Sequence, residues 1–225
     1  SLSHIKHNDA RSGLLMHNPN DAFVVHGAAT FMCASGHYNC TTQASFTHGE
    51  IHFRGDFAST RQTSSSPTRD FIVTGATVFF DGQTAQEASF FDGQLDRSRF
   101  ADVIFDNPAG ITFTSGNLPA AGHVTVSSGT AVVLRQSGAL LVGGGIDIDG
   151  GELRQNDQQN NAVDGDVLVR DGGELVLTGQ LTLSDQLDVT GGSSVEGPRI
   201  NVSRRIPQVD VDTCEYVVDT TAVIG

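Results

Sequence analysis

Paired glycines punctuate the second half of the chain at 143–144, 150–151, 172–173 and 191–192. From Gly150 to Gly172 is 22 residues (172 − 150), and from Gly172 to Gly191 is 19 (191 − 172). Between the pairs lie runs of about five residues with alternating character: 145–149, 166–170, 174–178, 180–184 and 186–190. In Ile146-Asp147-Ile148-Asp149 the apolar side chains fall on one side and the carboxylates on the other, the signature of a half-buried strand. Strand and turn repeating near twenty residues, with no helical segment between, is what a coil of backbone needs to stack on the next coil around a shared interior. A meander of hairpins stays open as the alternative, since Asp164-Gly165 and Asp171-Gly172 also suit two-residue turns.

Composition supports the same architecture. Of 26 acidic residues 20 are Asp and 6 are Glu, and Gly is 26 of 225. Asp and Gly favour turns, whereas Glu favours helix interiors. Lys+Arg is 13, leaving a net charge of −13, and the single lysine is Lys6. That balance excludes phosphate neutralisation by a basic face, so no nucleic-acid partner is expected. No apolar run approaches a membrane span. The chain opens Ser1-Leu2-Ser3-His4, which reads as a processed or trimmed start rather than a signal peptide. Three stretches follow from texture: an irregular, histidine-rich N-terminal cap over 1–48, a coiled strand block over 49–203, and a C-terminal strand or tail over 204–225.

The block from residue 44 carries a further pattern. It includes Gly49-Glu50-Ile51-His52-Phe53-Arg54-Gly55-Asp56-Phe57, then Phe71-Ile72-Val73-Thr74-Gly75 through Gln86, then Phe100-Ala101-Asp102-Val103-Ile104-Phe105-Asp106-Asn107. This order resembles the repeats of large bacterial cell-surface and secreted β-solenoid proteins over about residues 44 to 200. The resemblance implies an all-β fold, a right-handed parallel β-helix, exported to the cell exterior as an adhesin, matrix or fibre component. From the residues themselves, Phe53, Phe57, Phe79, Phe90, Phe100, Phe105 and Phe113 are expected to stack in the interior. Gly55, Gly82 and Gly110 are expected at corners needing positive φ. Gln86 and Asn107 are expected to cap or ladder at turns.

Candidate chemistry is sparse. Cys33 and Cys40 bracket a short loop, and in an exported protein a disulfide between them is the first reading, with free thiols or a zinc site including His37 as alternatives. Cys214 is then a free or intermolecular thiol. Seven of eight histidines precede residue 53, which reads as a polar cap surface. Asp147/Asp149 and Asp164/Asp166 are the candidate calcium ligands, since i and i+2 on a strand share a face. With Arg154 or Arg170 they are also the only lyase-like constellation. No G-x-S-x-G, H-E-x-x-H or G-x-G-x-x-G occurs, so no enzyme activity and no cofactor is expected. The expected role is structural: an extracellular subunit that self-associates, with Val209, Val211, Tyr216, Val217 and Val218 in the assembly contact. A glycan-binding adhesin or a polysaccharide lyase is the rival.

Overall fold

In a computed structural model of the chain, residues 15–33, 46–61, 70–135 and 138–202 are described. They hold twenty-one strands and no helix. Sheet one contains β1 (Ala22–Val25), β3 (Glu50–Phe53), β5 (Thr77–Phe80), β7 (Asp102–Phe105), β10 (Val124–Val126), β13 (Ile146–Asp149), β16 (Val167–Arg170) and β19 (Leu187–Val189). Sheet two contains β2 (Ala29–Cys33), β4 (Phe57–Arg61), β6 (Gln86–Phe90), β8 (Ile111–Ser115), β11 (Ala131–Leu134), β14 (Glu152–Gln155), β17 (Glu174–Val176) and β20 (Ser194–Glu196). Sheet three contains β9 (Leu118–Ala120), β12 (Leu140–Val142), β15 (Asn161–Val163), β18 (Leu181–Leu183) and β21 (Ile200–Val202).

Each strand pairs in parallel with the strand one coil away and never with its neighbour in sequence, as in β13 with β16 and β14 with β17. Parallel pairing excludes the hairpin meander, whose strands must run antiparallel. The Asp-Gly steps at 164–165 and 171–172 are therefore corners of coils. On the third side the early coils are joined by single parallel bridges, Met16↔Phe46 and Phe100↔Ala120 among them. Among the described residues the earliest paired strands are β1 and β2, which pair with β3 and β4 from inside the first 48 residues.

Stacking turns the alternation of each strand into columns. On sheet one an inward column runs Phe23, Ile51, Val78, Val103, Val124, Ile146, Val167, Leu187. A second inward column runs Val25, Phe53, Phe80, Phe105, Val126, Ile148, Val169, Val189. The early coils pack phenyl groups: Phe57 meets Phe31, Phe53, Phe71, Phe80, Phe90 and Phe100 at centroid separations of 5.0–6.0 Å. The later coils fill the same space with Val, Ile and Leu. Phe79 departs from its expected place. The pleat turns Val78 and Phe80 inward, so Phe79 lies half-buried on the outer face and Phe80 occupies the core.

The glycine expectation is corrected in the same way. Gly110 has φ +85°, but Gly55 and Gly82 do not have positive φ. A side chain at Gly55 would meet backbone, and one at Gly82 would meet the Gln86 side-chain oxygen and the Arg54 carbonyl. A Cβ on Gly55 would stand 2.6 Å from the carbonyl of Gly27 one coil below. Gly55→Ala is therefore expected to destabilise the protein by more than about 1 kcal/mol, because the clash is with backbone that cannot rotate away. A urea titration checks this, and an unchanged midpoint would contradict the close approach.

Buried amides fix two corners. Gln86 Nε2 donates to the carbonyls of Phe53 (2.9 Å) and Gly55 (2.6 Å), and Asn107 Nδ2 donates to Gln86 Oε1 (2.8 Å) and Thr84 O (2.8 Å). Three successive coils are pinned by these two side chains, as the expected ladder requires. A second pair, Gln155 and Asn161, exchanges reciprocal bonds of 2.9 Å. Asn161 Oδ1 also accepts from Leu140 N (2.9 Å), and Gln155 Oε1 accepts from Gly179 N (3.1 Å). Corner carbonyls and amides that no sheet can satisfy find their partners here.

Candidate functional site

The acidic candidates are not brought together. Asp147 and Asp149 point outward from β13, while Asp164 and Asp166 sit in the corner before β16. Asp147 Oδ2 is held by Arg170 Nη2 at 2.6 Å across the β13–β16 pair. Asp164 Oδ1 accepts from Ser184 Oγ (2.7 Å), and Asp166 Oδ1 from the Gln186 amide (3.0 Å). Arg154 is on sheet two and pairs with Glu152 instead. The register explains the scatter: parallel stacking places Leu168 opposite Asp147 and Arg170 opposite Asp149, so neighbouring coils supply an apolar group and a cation, not more carboxylates. Among the described residues no group of three or more His, Cys, Asp or Glu is placed to hold a metal ion.

Cys33 ends β2, whereas Cys40 and Cys214 lie outside the described residues. So do Val209, Val211, Tyr216, Val217 and Val218.

The densest polar cluster on sheet one was not legible from spacing. His52 on β3 stacks on Phe79 of β5, with centroids 4.6 Å apart and planes 7° from parallel. Its Nδ1 lies 2.8 Å from Asp81 Oδ2 and its Nε2 3.2 Å from Glu50 Oε2. Arg54 Nε stands 3.5 Å from Asp81 Oδ1. The signal that locates the cluster is the coil register His52↔Phe79, which needs the structure to be known. Among the described residues both ring nitrogens face carboxylates. What it does is pin two coils together on their outer face.

A shallow groove of about 130 Å³ crosses sheet two over Thr30, Ala58 and Ser89, with Asp56 and Glu87 at its side. It is smaller than the ~300–1,000 Å³ that encloses a small-molecule ligand. The exposed excursion after β6 is closed by Arg97 Nη1 on Asp92 Oδ1 (2.6 Å). That hydrogen bond, and then the carboxylate's charge, raises the Arg97 pKa above its usual value.

Among the described residues, the two ends of the stack leave apolar columns partly uncovered. At the C-terminal end the inward columns finish in Leu187, Val195 and Ile200, only partly buried, and in Val189, 40% exposed. Val202 beside them is 50% exposed. At the other end Phe23, Val25, Ala29 and Phe31 are likewise only partly covered. Among the described residues no strand pairs with the outer edges of β1, β2, β19, β20 or β21.

These features define the class: a parallel β-solenoid with an aromatic core at one end and an aliphatic core at the other. In comparisons with protein-family models, curated proteins and solved structures, nothing matches this chain. No described helix is long and apolar enough to cross a membrane.

Proposed function

We propose that this chain is a non-enzymatic structural protein of the cell exterior, of the bacterial adhesin or matrix type. It serves as a β-solenoid subunit of a surface layer, matrix or self-assembling filament. The observation that carries this reading is the condition of the two ends. Among the described residues each presents a row of strand edges beside apolar columns that are only partly covered, and such edges are either capped or paired with another chain. A second copy seated end to end would continue the same columns, Val and Leu of one meeting Phe and Val of the next. A contact between two different surfaces of one molecule gives an open filament when its rotation does not close into a ring, as stacking along the coil axis implies. Val209, Val211, Tyr216, Val217 and Val218, which lie outside the described residues, are the residues proposed for this contact.

Partners of other kinds follow from the same surface. A net charge of −13 disfavours nucleic acid, and glycans remain a secondary partner class to be met along the outer faces. Sedimentation velocity across a hundredfold concentration range, with electron microscopy of the same samples, tests the reading. Rods that lengthen with concentration are expected. A monomer of constant sedimentation coefficient at every concentration would remove self-assembly from the proposal.

A further inference from the structure

The chain contains five Asp-Gly steps, at 81–82, 92–93, 149–150, 164–165 and 171–172. In each, no side chain shields the glycine nitrogen, so it can approach the carboxyl carbon of the preceding aspartate where the fold allows. Two conditions govern that approach. The carboxyl group must be free to turn, and the glycine amide must be accessible and outside the backbone ladder. Four of the steps fail at least one. Asp81 is held by His52 (2.8 Å), and Gly82 is buried with its amide on Gln86 Oε1. Asp92 is held by Arg97 (2.6 Å), and Gly93 is buried. The Gly150 amide donates to the Arg170 carbonyl of the next coil (2.9 Å). Asp164 accepts from Ser184 Oγ (2.7 Å), and a Cβ on Gly165 would stand 2.4 Å from the Gly144 oxygen.

The fifth step meets both conditions. Asp171 and Gly172 are exposed, and no atom lies within 4 Å of the place a Gly172 Cβ would take. Among the described residues no hydrogen bond or ion pair holds the Asp171 carboxylate. The Gly172 amide is tied to a side chain, Ser193 Oγ at 3.2 Å. Among the described residues Asp171 alone, glycines apart, has a positive φ, +55°. That region is disfavoured for an L residue and relaxed for its mirror image. We propose that Asp171-Gly172 is a self-modification site, where the folded protein closes a succinimide and converts Asp171 to isoaspartate and D-aspartate. The Gly172 nitrogen gives its proton to solvent and bonds to Asp171 Cγ, while the Cγ–O bond breaks and one water leaves. Exchange of the Cα proton in the ring allows inversion at that carbon. One water then reopens the ring. Cleavage at Cγ restores the ordinary peptide bond, and cleavage at the Asp171 carbonyl leaves the chain running through Cβ and Cγ. No oxidant or reductant is needed. The corner joins β16 to β17 and reaches Ser193 of the next coil, so an added backbone atom there loosens the contact between two coils.

The full chain is incubated warm at mildly acidic pH, once folded and once in urea, and then digested. Isoaspartate is read at each of the five steps by enzymatic methylation and electron-transfer fragmentation, and D-aspartate by chiral chromatography of the 171 peptide. In the folded protein isoaspartate at 171 is expected to exceed that at every other step by at least about tenfold, since the others require local opening first. In urea the five are expected to agree within about threefold, because the selection lies in the fold. Ser193→Ala frees the Gly172 amide and is expected to raise the folded-state rate at 171 by about threefold, the worth of one hydrogen bond. Asp171→Gly suits a positive φ and carries no carboxyl, so it should abolish the signal in that peptide while the circular dichroism spectrum is unchanged. Equal yields at the five steps of the folded protein, a larger yield at any other step, or none at 171 while the unfolded chain reacts would each overturn the proposal. So would an unchanged rate in Ser193→Ala, or a signal that survives in the 171 peptide of Asp171→Gly.

Discussion

Phe57→Ala is expected to lower the free energy of unfolding by about 3–5 kcal/mol, the cost of emptying a packed phenyl site. Phe57 is 2% exposed and stands among six other rings, so its loss opens a cavity that several large, stiff neighbours cannot fill. Phe79→Ala supplies the contrast. That ring lies half-buried on the outer face against His52, and its removal should cost no more than about 1 kcal/mol. Urea titrations followed by circular dichroism compare the two. Equal losses would mean that the aromatic column is not the main store of stability in the early coils.

Asn161→Ala is expected to cost about 3 kcal/mol, although it removes only a small polar group. The Leu140 amide loses its side-chain acceptor in a place that water does not reach, and Gln155 falls back on Gly138 O, Gln159 O and Gly179 N alone. The desolvation penalty of those groups, rather than the strength of any one bond, sets the size. Gln159→Ala nearby should be nearly silent, because only its backbone carbonyl is used in the corner. Combining Asn161→Ala with Gln155→Ala should cost clearly less than the sum, since each single change already breaks the reciprocal bonds. Strict additivity in that double-mutant cycle would show that the two amides act separately.

Much of the later half could be read from the sequence because its coils are regular. The runs at 145–149 and 166–170 became β13 and β16, and the spacing of paired glycines matched the coil length. The early coils hid their period. Sheet-one strands there begin at 22, 50, 77 and 102, in steps of 28, 27 and 25, and the excursion 91–99 lengthens the last of these turns. Without the true step, His52 and Phe79 could not be placed one above the other, and the cluster with Asp81, Glu50 and Arg54 went unseen. The adjacent pair Phe79-Phe80 left the inward member undecided until Val78 fixed the pleat. Gly55 and Gly82 differ from Gly110 for a separate reason. A glycine required by a neighbour's backbone looks the same in sequence as one required by its own φ. The acidic pairs show the limit of local reasoning: i and i+2 did share a face, but what stood opposite them depended on coil register.

The change from phenyl to aliphatic filling along the stack bears on how such a column comes apart. Coils touch only adjacent coils, so melting proceeds from a tip, as a zipper opens. Among the described residues the aliphatic end runs out in Leu187, Val195 and Ile200, only partly buried, and unravelling is expected to start there and stall at the ring-packed coils. What survives would then act as a template on which the lost turns rewind.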